Sequence, residues 1–162
     1  MQQTEQFVFF CSHNGSTGYL SNWYSSHFTL DGITFNCVEQ AMMHGKAKLM
    51  GDDDAAALVL TLTHPKTIKA LGRSVKNFDP HKWDEHKSFI VKRALAAKFT
   101  QNKALGEQLK ATKDKTLVEA AHYDTVWGIG LSADHPDARF PEKWTGENLL
   151  GQLLMEVRQE LL

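Results

Sequence analysis

The first chemical signal in this chain is a carboxylate and an amine on one helix. Glu39 and Lys46 lie seven residues apart in Cys37–Met50, a run of small and straight-chain residues with Asn36 ahead of it as a candidate N-cap. Seven residues make close to two turns, so both side chains point the same way, roughly 10 Å apart along the axis. Met43 falls on that side as well. A carboxylate and an ammonium flanking a methionine are costly inside a core and ordinary along a pocket wall. Read alone, the segment is more simply a helix with two solvated charges. The rest of the chain moves the weight toward the pocket.

A second group lies in His122–Leu131, where Asp124, Trp127, Gly128 and Gly130 put an acid, an aromatic face and two glycines close together. Gly-x-Gly lets backbone approach a phosphate or sugar, yet without a third glycine it is a weak signature. A third is Tyr19–Tyr24, where Ser21 and Asn22 stand among aromatics. Such a mixture suits sugar or nucleotide contacts and also suits a packed turn. Trp83 has the same two readings, a stacking surface or a core residue. No metal or other cofactor is expected. His81 and His86 are off a common face, His122 stands alone, and Asp52–Asp54 lacks the glycine and distal glutamate of a calcium loop.

Composition narrows the partners. Eighteen Lys and Arg against 19 Asp and Glu leave no bulk field for gripping long nucleic acid, although a local pocket for one nucleotide is compatible with that balance. At 162 residues and 42% hydrophobic, the chain is expected to be one globular domain over residues 1–162. Cys11 and Cys37 make neither a disulfide framework nor a paired-cysteine metal site. No leader or membrane-length apolar run is visible, so a reduced cytoplasmic setting and no membrane partner are expected. Oligomeric state stays open.

The elements that must position these residues follow from local pattern. Phe7–Phe10 reads as a buried strand. Asp31-Gly32 between two alternating runs, 27–30 and 33–35, predicts a hairpin with a type I′ turn. Asp52–Asp54 starts a helix to about Leu60, and Pro65 one to about Leu71. Asp79-Pro80 begins the longest helix, to about Phe99, and Asn102 is expected to cap another to about Ala111. Thr116–Ala120 reads as a strand, residues 132–145 as a loop, and Gly146-Glu147-Asn148 as the start of a last helix with a leucine stripe. Without βαβ alternation, the expected class is α+β: mainly helical and compact, with a small β-sheet that includes the hairpin.

Taken together, Ser21-Asn22-Trp23, Glu39 to Lys46, Trp83, Lys98-Phe99, Leu117-Val118-Glu119, Asp124-x-x-Trp127-Gly128-x-Gly130 and Gly146-x-Asn148-x-Leu150-Gly151 through Arg158 resemble the NADAR family, from about Phe7 to Arg158. The chain departs from the family pattern at Phe35-Asn36-Cys37, where relatives often carry Pro-x-Ser or Pro-x-Thr, and at Gln40, often His. The resemblance implies an N-glycosidase. Its substrate would be an ADP-ribosylated nucleotide or nucleic acid, with guanine as the leaving base, or a small ribosyl-phosphate metabolite of riboflavin synthesis. It implies Lys46 in attack on the ribose carbon, with Glu39 and Asp124 in the same pocket. Ser21, Asn22, Trp83, Trp127, Gly128, Gly130 and Asn148 are then the expected substrate contacts. A non-catalytic ADP-ribose-binding module is the alternative, and Arg158 reads as an ion-pair residue.

Overall fold

The computed structural model describes residues 3–162. In chain order the elements are β1 (Phe7–Phe10), β2 (Phe28–Leu30), β3 (Ile33–Phe35), α1 (Val38–Leu49), α2 (Asp53–Val59) and α3 (Pro65–Gly72). Then come α4 (Pro80–Gln101), α5 (Lys103–Ala111), β4 (Thr116–Glu119) and α6 (Leu149–Glu160), with short 3-10 turns at Gly18–Leu20 and Pro141–Lys143. This is an α+β chain, mainly helical. Its internal contacts divide it into two compact units, Ser25–Asn102 and the residues up to Tyr24 together with Lys103–Leu162.

In the Ser25–Asn102 unit, the hairpin forms as the Asp-Gly signal requires. Asp31 and Gly32 both take left-handed backbone, φ 53° and 78°, as a type I′ turn demands. Phe28 pairs with Phe35 and Leu30 with Ile33, which places all four on one face. The free edge of β2 is closed by a side chain. Gln101 accepts from the Thr29 N–H and donates to the Thr29 carbonyl, each at 2.7 Å.

Helix α1 is the hub of this unit and packs against α2, α3 and α4. Its N-cap is Cys37 in extended backbone rather than Asn36, a correction with a clear cause. Gln40 reaches back to accept from the Asn36 N–H at 2.8 Å, so a glutamine in the first turn does the terminal bonding. The Gln40 amide also donates to the Val59 and Leu62 carbonyls, both at 3.1 Å, so this departure from the family pattern pins the chain beyond α2. Asp52 caps α2 and Asp79 caps α4, with Pro65 and Pro80 in first turns. The Asn102 side chain donates to the Lys98 and His27 carbonyls and so serves the end of α4.

In the other unit β1 and β4 run parallel, Phe7 opposite Thr116 and Phe10 opposite Glu119. The hairpin and this pair are thus separate two-stranded sheets. Phe7, Phe9, Val118, Ala120, Ile129 and Ala138 form one buried cluster. Helix α6 packs on β4. Arg158, expected as an ion-pair residue, instead donates to Thr112 Oγ1 at 2.9 Å and to the Lys115 carbonyl at 2.8 Å, holding the turn before β4. Among the described residues, no helix is long and apolar enough to cross a membrane.

Candidate active site

Helix α1 buries the face that the Glu39–Lys46 spacing marked. Glu39 is 6% exposed and Met43 5%, so the solvated reading fails for this side of the helix. Lys46 is half-buried, its Nζ 4.6 Å from the centre of the Phe78 ring and 5.8 Å from that of Trp83. Trp83 is itself buried in the first turn of α4. Burial lowers the Lys46 pKa below the ordinary lysine value; Glu39 opposes that shift and Arg73 adds to it. The arrangement is a half-buried amine against two aromatic rings, with a carboxylate near enough to act on its charge. Lys48 instead lies in solvent, paired with Asp53 at 3.0 Å.

A second lysine stands in the sequence only as part of the family-like pair Lys98-Phe99, with no role assigned to it. Lys98 on α4 is fully buried, and desolvation pulls its pKa down to about 7, the nearby Cys37 thiol opposing the shift. Burial likewise pushes Cys37 up to about 11. The signal was a charged residue within the apolar stripe Ala94, Leu95, Ala97 and Phe99. Phe78 was also missed. Its signal is an aromatic standing alone in the polar stretch Lys76-Asn77-Phe78-Asp79.

In the other unit backbone hydrogen bonds gather Asp124, Trp127, Gly128, Gly130 and Asn148 beside β4: Gly130 N–H donates to the Asp124 carbonyl at 3.1 Å, Asn148 N–H to that of Gly128 at 3.0 Å and Leu150 N–H to that of Trp127 at 3.2 Å. Asp124 Oδ1 accepts from the Val126 and Trp127 N–H groups at 3.0 and 2.9 Å, closing the loop that carries the half-buried Trp127. Gly128 admits the protein's own backbone and Gly130 a neighbouring side chain. A side chain at Gly128 would meet the Glu119 and Asp124 carbonyls at 2.9 and 3.0 Å, and Gly130 has φ 74° with Thr145 against it. Close packing is what they permit here.

Asn148 has a different task from the expected one. It takes left-handed backbone, φ 54°, at the start of α6, and its side chain does not cap that helix. Its Oδ1 accepts from Glu119 N–H at 3.0 Å and its Nδ2 donates to the Leu117 carbonyl at 2.9 Å. It is 2% exposed, so its amide belongs to β4. Ser21 accepts from the Trp23 N–H, a local turn. Asn22 is more suggestive: its Oδ1 is buried with no hydrogen-bond partner in the protein, which a ligand donor would satisfy. Tyr123 stands beside Cys11, hydroxyl to sulfur 3.8 Å, with its pKa pushed up to about 12 chiefly by burial. Among the described residues, no three His, Cys, Asp or Glu side chains gather as a possible metal site.

The NADAR domain model matches residues 9–162, nearly the whole chain. The chain belongs to the NADAR family. An N-glycosidase of Acanthamoeba polyphaga mimivirus is 40% identical over 98% of each chain. The N-glycosidase YbiA of Escherichia coli is 29% identical over 99% of this chain and 91% of its own. The solved structure of YbiA superposes with a TM-score of 0.80 at 27% identity, covering 98% of this chain and 86% of that one. A riboflavin biosynthesis protein of Vibrio vulnificus is 29% identical over 97% of this chain but only 39% of its own, so there the matching region is part of a larger protein.

Proposed function

We propose that this chain hydrolyses the ribose C1′–N bond of an ADP-ribosyl substrate, ADP-ribosylated guanine in nucleic acid first and a ribosyl-phosphate metabolite second, with Lys46 as nucleophile. That it acts on N-glycosyl bonds at all rests on relatives named N-glycosidases that match it end to end. The observation that carries the finer reading is the Lys46 amine, half-buried against Phe78 and Trp83 with its pKa lowered by burial. Merely holding ADP-ribose requires no such amine.

The chemistry follows from charge. Cleaving C1′–N builds positive charge on the ribose while the base departs with the bonding pair and needs a proton. Neutral Lys46 gives its lone pair to C1′ as the base leaves and then loses a proton. Opening of the ring oxygen, which takes up a proton, leaves a protonated imine that water hydrolyses. Glu39, on the same helix as Lys46, takes part in the proton transfer and in stabilising the ribose cation; for Asp124 a share in that work is what the family resemblance implies. Trp83 offers a stacking face beside Lys46; on the family resemblance Trp127 and the Asn22 Oδ1 are further substrate contacts. Ser21, Gly128, Gly130 and Asn148 act through the backbone they shape. The two free thiols fit a reducing cytoplasm.

Incubation with guanine-ADP-ribosylated DNA or RNA, and in parallel with ribosyl-phosphate riboflavin intermediates, tests this reading. Release of the base from one of them is expected. Tight binding of ADP-ribose without release of any base would make the chain a binding module.

A further inference from the structure

Phe78 sits in the Ser25–Asn102 unit with 41% of its surface exposed, an uneconomical place for a ring if stability were its only use. The loop that bears it is fixed at both ends. The Lys76 N–H is held by the Asp52 carboxylate at 2.9 Å, and the Asp79 N–H reaches Met50 Sδ at 3.3 Å. Between them Asn77 takes left-handed backbone, φ 58°, and Asp79 caps α4 through the His81 and Lys82 N–H groups. The ring is therefore aimed by the backbone, and what it meets is Lys46 Nζ at 4.6 Å.

We propose that Phe78 is a positioning residue for Lys46: its ring face holds the amine in place and stabilises the positive charge that nitrogen carries once the imine has formed. This rests on the reading of Lys46 as nucleophile. In the protonated imine the charge lies on the same Nζ that bears it in the resting ammonium, so a ring placed for one is placed for the other. The charged groups bearing on Lys46 are Glu39 from its own helix and Arg73 from the end of α3, while α4 contributes the neutral Trp83 ring and the Asp53 of α2 is paired to Lys48. Phe78 thereby sets how strongly the site favours the cation without adding a titrating group of its own.

The test is the titration of Lys46 in the folded protein without substrate, followed by NMR of lysine labelled at Cε and Nζ and assigned by the signal lost in Lys46→Arg. Phe78→Leu keeps an apolar side chain and removes the π face. The Lys46 pKa should fall by about half a unit, the size of an exposed cation–π attraction. Phe78→Tyr should leave it within about 0.2 units, because the face is retained. Should the leucine variant fold poorly, Phe78→Met serves the same purpose. A Lys46 pKa unchanged or raised without the ring would overturn the proposal, since the ring would then only shield the amine from water. This readout is a property of the resting protein. A fully active Lys46→Ala would refute the nucleophile assignment and leave the titration result standing on its own.

Discussion

A nucleophilic lysine has to be both neutral and reachable, and burial favours the first at the expense of the second. Lys98, pulled to about 7, is the readier to lose its proton, but it has no exposed surface for a ribose to approach. Lys46 is half-buried, with its pKa lowered and its Nζ facing two rings. Access decides between them. Lys46→Ala and Lys46→Arg should therefore both lose activity by on the order of 10³-fold or more, the arginine because a guanidinium stays protonated. Lys48→Ala, two residues on and paired only with exposed Asp53, should retain nearly all of it. Single-turnover rates on the cleaved substrate, with circular dichroism to confirm folding, distinguish these outcomes. A Lys46→Arg enzyme as fast as wild type would remove the amine from the mechanism.

At the scale of elements, Lys98 makes the packing of α4 in its unit depend on pH. Its folded pKa of about 7 lies below the ordinary 10.5, so between those values the unfolded chain binds more protons and stability rises with pH. Cys37 works the other way, since its rise from 9.0 to about 11 makes stability fall across that interval. The net gain is confined to about pH 7–9. There, wild type should gain on the order of 2 kcal/mol relative to Lys98→Met, as read by denaturant unfolding at each pH. Parallel slopes for the two proteins would mean that Lys98 keeps its proton in the fold. Elements with local causes were legible in the sequence: the Asp31-Gly32 hairpin, the Asp79-Pro80 start of α4 and the Glu39–Lys46 face each depend on residues within two turns. Those settled by distant partners were not. Nothing near Asn148 reveals that its amide bonds β4 about thirty residues earlier. Nor could Asn36 show that Gln40 would take over the bonding at the start of α1.

For the molecule as a whole, the order of motifs along the chain told more than any one of them. The family resemblance that this order suggested now rests on a domain match over residues 9–162 and on a shared fold with YbiA. The glycines of 128–130 show the limit of such reading, because a pattern that can cradle a phosphate can equally admit a neighbouring backbone and side chain, as it does here. Activity on N-glycosyl bonds still leaves two routes, direct attack by water or a covalent imine on the enzyme. Borohydride added during turnover separates them by reducing an imine to a stable amine on the chain. Intact mass of the quenched protein should show one added ribosyl-containing group, mapped by peptide sequencing to Lys46 and absent from Lys46→Arg. An unmodified chain, recovered while substrate is being consumed under the same borohydride, would contradict the covalent route and give the attack on C1′ to water.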